Sequence, residues 1–188
     1  MSEVLPSDSS APAAKPGVNY VGVGVGAIIT DPQTRTVLMH LRGGEARSER
    51  WHWDFPGGTV EWSATDYRAR TILDHPKGSP FYGDLLKATV ARECLEEHGV
   101  NIEIVRELGS YQHYIPNEGQ FWISHTYLAR IIGDISAVRI MEPDKCAEIA
   151  WMNRAQLREL LEANQLAGVS TQIVADLLAH PERLPEIA

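Results

Sequence analysis

The chain has 188 residues, enough for one domain with a real core, and a formal net charge of −8. That charge argues against a general nucleic-acid binder, which needs Lys/Arg patches for phosphates, but a negative chain can take anionic substrates where metal ions mask the charge. Cys94 and Cys146 have no CxxC spacing, no apolar run is long enough to span a membrane, and the N-terminus lacks a signal-peptide pattern, so the expected location is the reducing cytoplasm, with no membrane partner.

Residues 1–17 are rich in Ser, Pro and Ala and read as a disordered tail, leaving 18–188 as the folded domain. From Val21, valines alternate with Gly22, Gly24 and Gly26, and Ala-Ile-Ile follows. The period of two predicts a strand with one bulky and one bare face, the bare face open to a backbone or a ligand. Gly22, Gly24 and Ala27 also satisfy G-x-G-x-x-G/A, but a dinucleotide fold needs a helix starting there, and Ile28-Ile29-Thr30-Asp31-Pro32 cannot supply one. An NAD-dependent oxidoreductase is thereby set aside. Asp31 to Thr34 reads as a turn and Thr36–Arg42 as the return strand. The polar loop 43–50 follows, and Arg42, Arg47 and Arg50 are candidates to reach a substrate phosphate or, equally, solvated loop charges.

Trp51 to Glu61 carries an aromatic cluster into Pro56-Gly57-Gly58. Two glycines after a proline leave carbonyls and amides bare for a ligand, though an ordinary tight turn has the same composition. Ser63 and Asp66 suggest a capping box for a short helix over Ala64–Leu73, with loop to Pro80.

Asp84 to His98 reads as an amphipathic helix stopped by Gly99. Ala88, Val90, Ala91, Cys94 and Leu95 make an apolar arc. Glu93, Glu96 and Glu97, at i, i+3 and i+4, share an arc of about 100° beside it. Like charges at these spacings destabilise a helix, and a hard divalent cation, which takes carboxylate and phosphate oxygens together, offsets that cost. The plainer reading is a solvated face with Arg92 paired to Glu96.

Two β-like runs, Ile102–Ile115 and Gln120–Ile132, flank a hairpin loop at Pro116-Asn117-Glu118-Gly119. His113 and His125 could face each other across it; zinc would need further ligands, so strand histidines with hydrogen-bond partners are expected. Glu148–Met152 reads as a short strand, Arg154–Glu162 as a helix, and Ser170 or Thr171 as the cap of a last helix ending near Ala179 before Pro181.

Together these parts resemble the Nudix hydrolase family, whose box runs G-x5-E-x7-R-E-U-x-E-E-x-G-U, with U aliphatic. Arg92-Glu93, Glu96-Glu97, Gly99 and Val100 match its second half, with Cys94 at the first U. Phe55-Pro56-Gly57-Gly58-Thr59-Val60-Glu61 is similar to the family's L-P-G-G-x-U-E lead-in. About twenty extra residues, 62–82, split the halves, and Asp84, eight before Arg92, takes the position of the box's first glutamate.

The resemblance implies the Nudix fold, an α/β/α sandwich around a mixed β-sheet. It also implies hydrolysis of a nucleoside diphosphate linked to another moiety, with Mg²⁺ or Mn²⁺ as cofactor and a small nucleotide as partner. By the same resemblance, Glu96 and Glu97 are first-choice metal ligands, Glu93 a further ligand or general base, the Gly57 carbonyl a backbone ligand, and Arg92 the residue that orients the glutamates. Glu148, ahead of Trp151, is the candidate acid from outside the box. Arg42, Arg47, Gly58 and Phe121 are the candidate substrate contacts, with Trp122 and Tyr20 as other rings that could stack a base. The stretch Glu142 to Cys146 looks like members that cleave nucleoside triphosphates to monophosphates. ADP-ribose or sugar nucleotides, and a nucleotide-binding domain without catalysis, stay open as alternatives. The 62–82 insertion is expected beside the metal site as a lid or a homodimer contact.

Overall fold

The computed structural model describes residues 21–60, 84–115 and 119–187. The expectations for the tail, for Tyr20 and Glu61, for the 62–82 insertion and for most of the hairpin loop fall outside these residues.

Seven strands are described: β1 (Gly22–Asp31), β2 (Thr36–Arg42), β3 (Trp53–Asp54), β4 (Gly57–Thr59), β5 (Ile102–Ile115), β6 (Gln120–Ile131) and β7 (Cys146–Met152). Three α-helices accompany them: α1 (Leu85–His98), α2 (Arg154–Glu162) and α3 (Gly168–Ala179). The sheet is mixed. β1 runs parallel to β6, and β6 is antiparallel to β5. β1 and β2 pair only next to their turn, at Thr30–Val37 and Asp31–Thr36. Beyond that they part. β4 takes the place beside β1 at Gly24–Thr59, Val25–Gly58 and Gly26–Gly57, while β2 goes on to β7 and β3. This divergence opens the sheet where the bare face of β1 lies.

Strand alternation sends side chains into two cores. Val25, Ala27 and Ile29 join Leu38, Val90, Cys94 and Tyr127 under α1. Ile28 joins Val37, Met39, Leu128, Leu157, Ile173 and Leu177 under α2 and α3. Helices thus cover both faces, giving the expected α/β/α sandwich. No helix among the described residues is long and apolar enough to cross a membrane.

α1 begins where its sequence predicts. The Asp84 carboxylate accepts from the Lys87 amide at 3.1 Å and pairs with the Lys87 ammonium at 2.9 Å, and Gly99 closes the helix at φ 69. Asp84, aligned with the box's first glutamate, is therefore the N-cap. Leu95 departs from the predicted apolar arc: it is 46% exposed, and His98, wholly buried, takes the core position instead. At the other end of the chain, α3 starts at Gly168, so neither Ser170 nor Thr171 caps it. The Gly168 amide donates instead to the Glu49 carboxylate, 119 residues away. Ser170 donates to Asp54, and Thr171 bonds back to the Leu166 and Ala167 carbonyls. His113 and His125 do not face each other; their partners across the hairpin are Trp122 and Ser110.

Replacing Asp84 with Ala removes the cap and should cost about 1 kcal/mol. For a chain of this length that lowers Tm by about 2–4 °C in scanning calorimetry. Asp84→Asn, which keeps an acceptor, should restore most of it.

Candidate active site

The site is built from the last turns of α1 and the glycine turn at β4. With Ala88, Val90 and Cys94 buried, α1 is fixed in rotation, and Glu93 and Glu97, one turn apart, lie against the sheet. Their side chains are only 16% and 17% exposed, against 51% for Glu96. The Gly57 amide donates to Glu97 Oε2 at 3.1 Å. A Cβ on Gly58 would overlap the Glu93 carboxylate, and one on Gly57 would overlap the Val25 carbonyl oxygen. Gly57 is thus required for β4 to close on β1, and Gly58 lets backbone lie directly on the Glu93 carboxylate. Arg92 spans the pair of turns, donating to Glu96 Oε2 at 2.5 Å and to Glu93 Oε1 at 2.6 Å.

Burial dominates the electrostatics. It pushes the Glu97 carboxyl well above its ordinary 4.5, and the neighbouring Glu93 adds to this while the Gly57 amide opposes it. Burial also raises Glu93, against the pull of Arg92. Behind Glu97 lie two imidazoles, with His40 Nδ1 3.1 Å from His98 Nε2. Burial holds them at about 4 and about 3, so both are neutral near pH 7. Carboxylates gathered beside bare backbone form an all-oxygen donor set, the kind that hard divalent cations prefer. Glu93, Glu96, Glu97 and the Gly57 carbonyl could hold such ions.

A cavity of about 430 Å³ opens beside these groups. Gly24 and Gly26 line it together with Gly57, Gly58, Glu93 and Glu97, so the bare face of β1 is the cavity floor. Trp122, Ser124 and Thr126 of β6 continue that face, each directly beside Gly22, Gly24 or Gly26 in the parallel register. Asp54, Phe55 and Ser170 form a wall, and Glu142 and Lys145 reach in from the segment before β7, paired at 2.8 Å.

The remaining sequence candidates divide. Arg47 is exposed on the cavity lining. Arg42 also lines it, but is tied to Asp54 at 2.9 Å and to the Ser48 carbonyl at 2.9 Å, which makes it a strut of the loop. Arg50 bonds the Ala46 carbonyl. Phe121 is not brought to the site: it stands one residue out of phase with Trp122, opposite Tyr114 and 39% exposed. Glu148 is likewise exposed, out of phase with Ile149, whose side chain packs on the α1 side. Glu142 is the acid from outside the box that does reach Glu93, close enough to raise its pKa. His40 and His98 carried no motif, although His98 directly follows Glu97.

Comparison with known proteins agrees with this geometry. The profile of the NUDIX domain matches residues 21–173. The chain belongs to the NUDIX family. It is 27% identical over 128 residues to a mutator protein of Mycobacterium tuberculosis (strain CDC 1551 / Oshkosh) named MutT4, a match covering 65% of this chain and 50% of the relative. The chain thus spans about half the length of the curated relative it matches. Among solved structures, the MutT protein from Methanosarcina mazei Go1 has a TM-score of 0.60 at 19% identity, over 86% of this chain and 95% of that one. The NUDIX domain of Shewanella oneidensis NrtR, solved with ADP ribose, has a TM-score of 0.58 at 18% identity, over 93% and 94%. These structural likenesses fix the Nudix fold. Within it, α1 is the Nudix-box helix.

The raised Glu97 carboxyl has a consequence for the metal-free protein. An unfolded carboxyl ionises near 4.5, while the folded one holds its proton to higher pH. This group's contribution to stability is therefore present at low pH and lost as pH rises from 4.5 through the folded value. In EDTA, Glu97→Gln should melt above the wild type at pH 8, and the gap should close as pH falls toward 4.5. Parallel melting curves would show that the burial carries no cost.

Proposed function

We propose that the chain is a divalent-metal-dependent nucleotide pyrophosphohydrolase that cleaves a nucleoside triphosphate to monophosphate and pyrophosphate. The observation that carries this reading is the pair of largely buried carboxylates, Glu93 and Glu97, pressed onto Gly57 and Gly58 at the edge of a nucleotide-sized cavity. One feature favours a triphosphate. The stretch Glu142 to Cys146, which is similar to that of triphosphate-cleaving members, lies at the cavity, where Lys145 adds a cation to the exposed Arg47. For the base, Trp122 lines the cavity with its ring against Gly22, 8% exposed.

In this reading Glu96, Glu97 and the Gly57 carbonyl would hold Mg²⁺ or Mn²⁺, with Glu93 beside them as the base. When bound, such ions neutralise phosphate charge and acidify a water. The protein does the rest. Arg92 fixes Glu93 and Glu96 in one geometry. Glu93, with its raised pKa, accepts the proton of the attacking water. Lys145 and Arg47 orient the phosphate chain, and Trp122 stacks the base. Bare glycine backbone on the floor lets the substrate lie close to the sheet. ADP-ribose is the second reading, supported by the NrtR domain solved with that ligand.

The test is release of phosphate or pyrophosphate from a panel of canonical and oxidised dNTPs, NTPs, ADP-ribose, dinucleoside polyphosphates and sugar nucleotides. Each is run with Mg²⁺, Mn²⁺ or EDTA. Turnover should require metal, favour a triphosphate, and fall at least about a hundredfold in Glu97→Gln. Trp122→Ala should raise KM by about tenfold with little change in kcat. Preference for ADP-ribose would select the second reading. Tight nucleotide binding without turnover would point to a binding domain.

A further inference from the structure

We propose that His40, His98 and Glu97 form a second cation site behind the carboxylate cluster, one that takes a borderline ion of the Zn²⁺ class rather than Mg²⁺. The inference goes beyond the hydrolase reading and does not depend on it.

The three ligand atoms are brought together by the fold from β2 and the end of α1. His40 Nδ1 and His98 Nε2 are 3.1 Å apart, and Glu97 Oε2 lies 4.0 Å from the first and 3.7 Å from the second. The point equidistant from all three is about 2.1 Å from each, the distance at which zinc binds imidazole nitrogen and carboxylate oxygen. The ligands are also held in place. His40 is 5% and His98 0% exposed, and the left-handed cap at Gly99 fixes the helix end that carries His98. His40 lines the cavity, which gives an ion a route in and a side for a fourth ligand.

Donor chemistry separates this site from its neighbour. Two imidazoles and one carboxylate suit zinc and the later first-row metals, whereas Mg²⁺ seeks oxygen. Without metal, one proton lies between the two rings. With metal, the ion takes that position, and the ring that carried the inner proton shifts to its other tautomer, so that each neutral ring holds its single proton on the outer nitrogen. Glu97 belongs to both clusters, so occupancy of one site alters the other.

The experiment uses the full chain, stripped with chelator and titrated calorimetrically with Zn²⁺ in excess Mg²⁺. One Zn²⁺ per chain is expected, with ¹⁵N ring resonances of His40 and His98 displaced. Affinity should fall by about a hundredfold or more in His98→Gln and in His40→Asn. It should persist in Glu93→Gln/Glu96→Gln, which spares all three ligands. Absence of Zn²⁺ binding, unchanged affinity in the histidine variants, or loss of binding in the Glu93/Glu96 variant would overturn the proposal. If the histidine variants fail to fold by circular dichroism, the visible spectrum of the Co²⁺-loaded wild type decides. Intense four-coordinate bands support the site, and weak six-coordinate bands overturn it.

Discussion

Everything at this site depends on how closely the glycine turn approaches α1. Backbone lies against both acids: no Cβ stands between Gly58 and Glu93, and the Gly57 amide donates to Glu97. That approach needs β4 to replace β2 as the neighbour of β1, and the two strands close because Gly57 has no Cβ to meet the Val25 carbonyl oxygen. The split between β1 and β2 and the desolvated carboxylates are therefore one arrangement. A side chain at Gly57 would push β4 off β1, and with it the amide that holds Glu97. The two glycine-rich stretches, thirty residues apart in sequence, do complementary work. The first lines the cavity floor, and in the second Gly57 closes on β1 while Gly58 meets Glu93.

Where the determinants were local, the fold could be read from the sequence. The valine–glycine alternation and the Gly99 stop act within a few residues, and each element lies close to where those signals put it. The box acids were legible for the same reason, since helical spacing alone puts Glu93 and Glu97 on one flank. What stayed hidden depends on tertiary placement. The cap of α3 is Glu49, from a loop 119 residues earlier, and no local window contains it. Phe121 and Trp122 are adjacent rings in a strand, and composition cannot say which phase faces the cavity; the register of β6 against β1 does. Glu148 fails on the same ground. Regular pairing of β7 with β2 leaves it opposite Leu41, out of phase with Ile149, which faces α1.

The loop between β2 and β3 shows how a site is held by residues that need not touch substrate. Glu49 ties the loop to the start of α3, and Arg42 ties it to Asp54 and to its own Ser48 carbonyl. Asp54 in turn accepts from Ser170 of α3. The cavity wall is thus knitted across three elements, with Arg47 left exposed on the lining. A helix N-terminus favours a nearby carboxylate, so Glu49 is well placed although burial raises its pKa.

The acids of α1 are arranged against the interest of the metal-free fold. Three carboxylates share one flank, two of them desolvated, and Arg92 can offset only part of the repulsion. In Glu97 burial outweighs the stabilising amide of Gly57, and the group is driven toward its neutral form. A cation that binds only the folded chain reverses this balance, because it stabilises the native state by mass action and lets the carboxylates ionise together. The neutral imidazoles behind Glu97 offer no such compensation. Folding and metal affinity are therefore linked through a single residue, Glu97, and the strain that burial places on it in the free protein is the same feature that would make it a strong ligand.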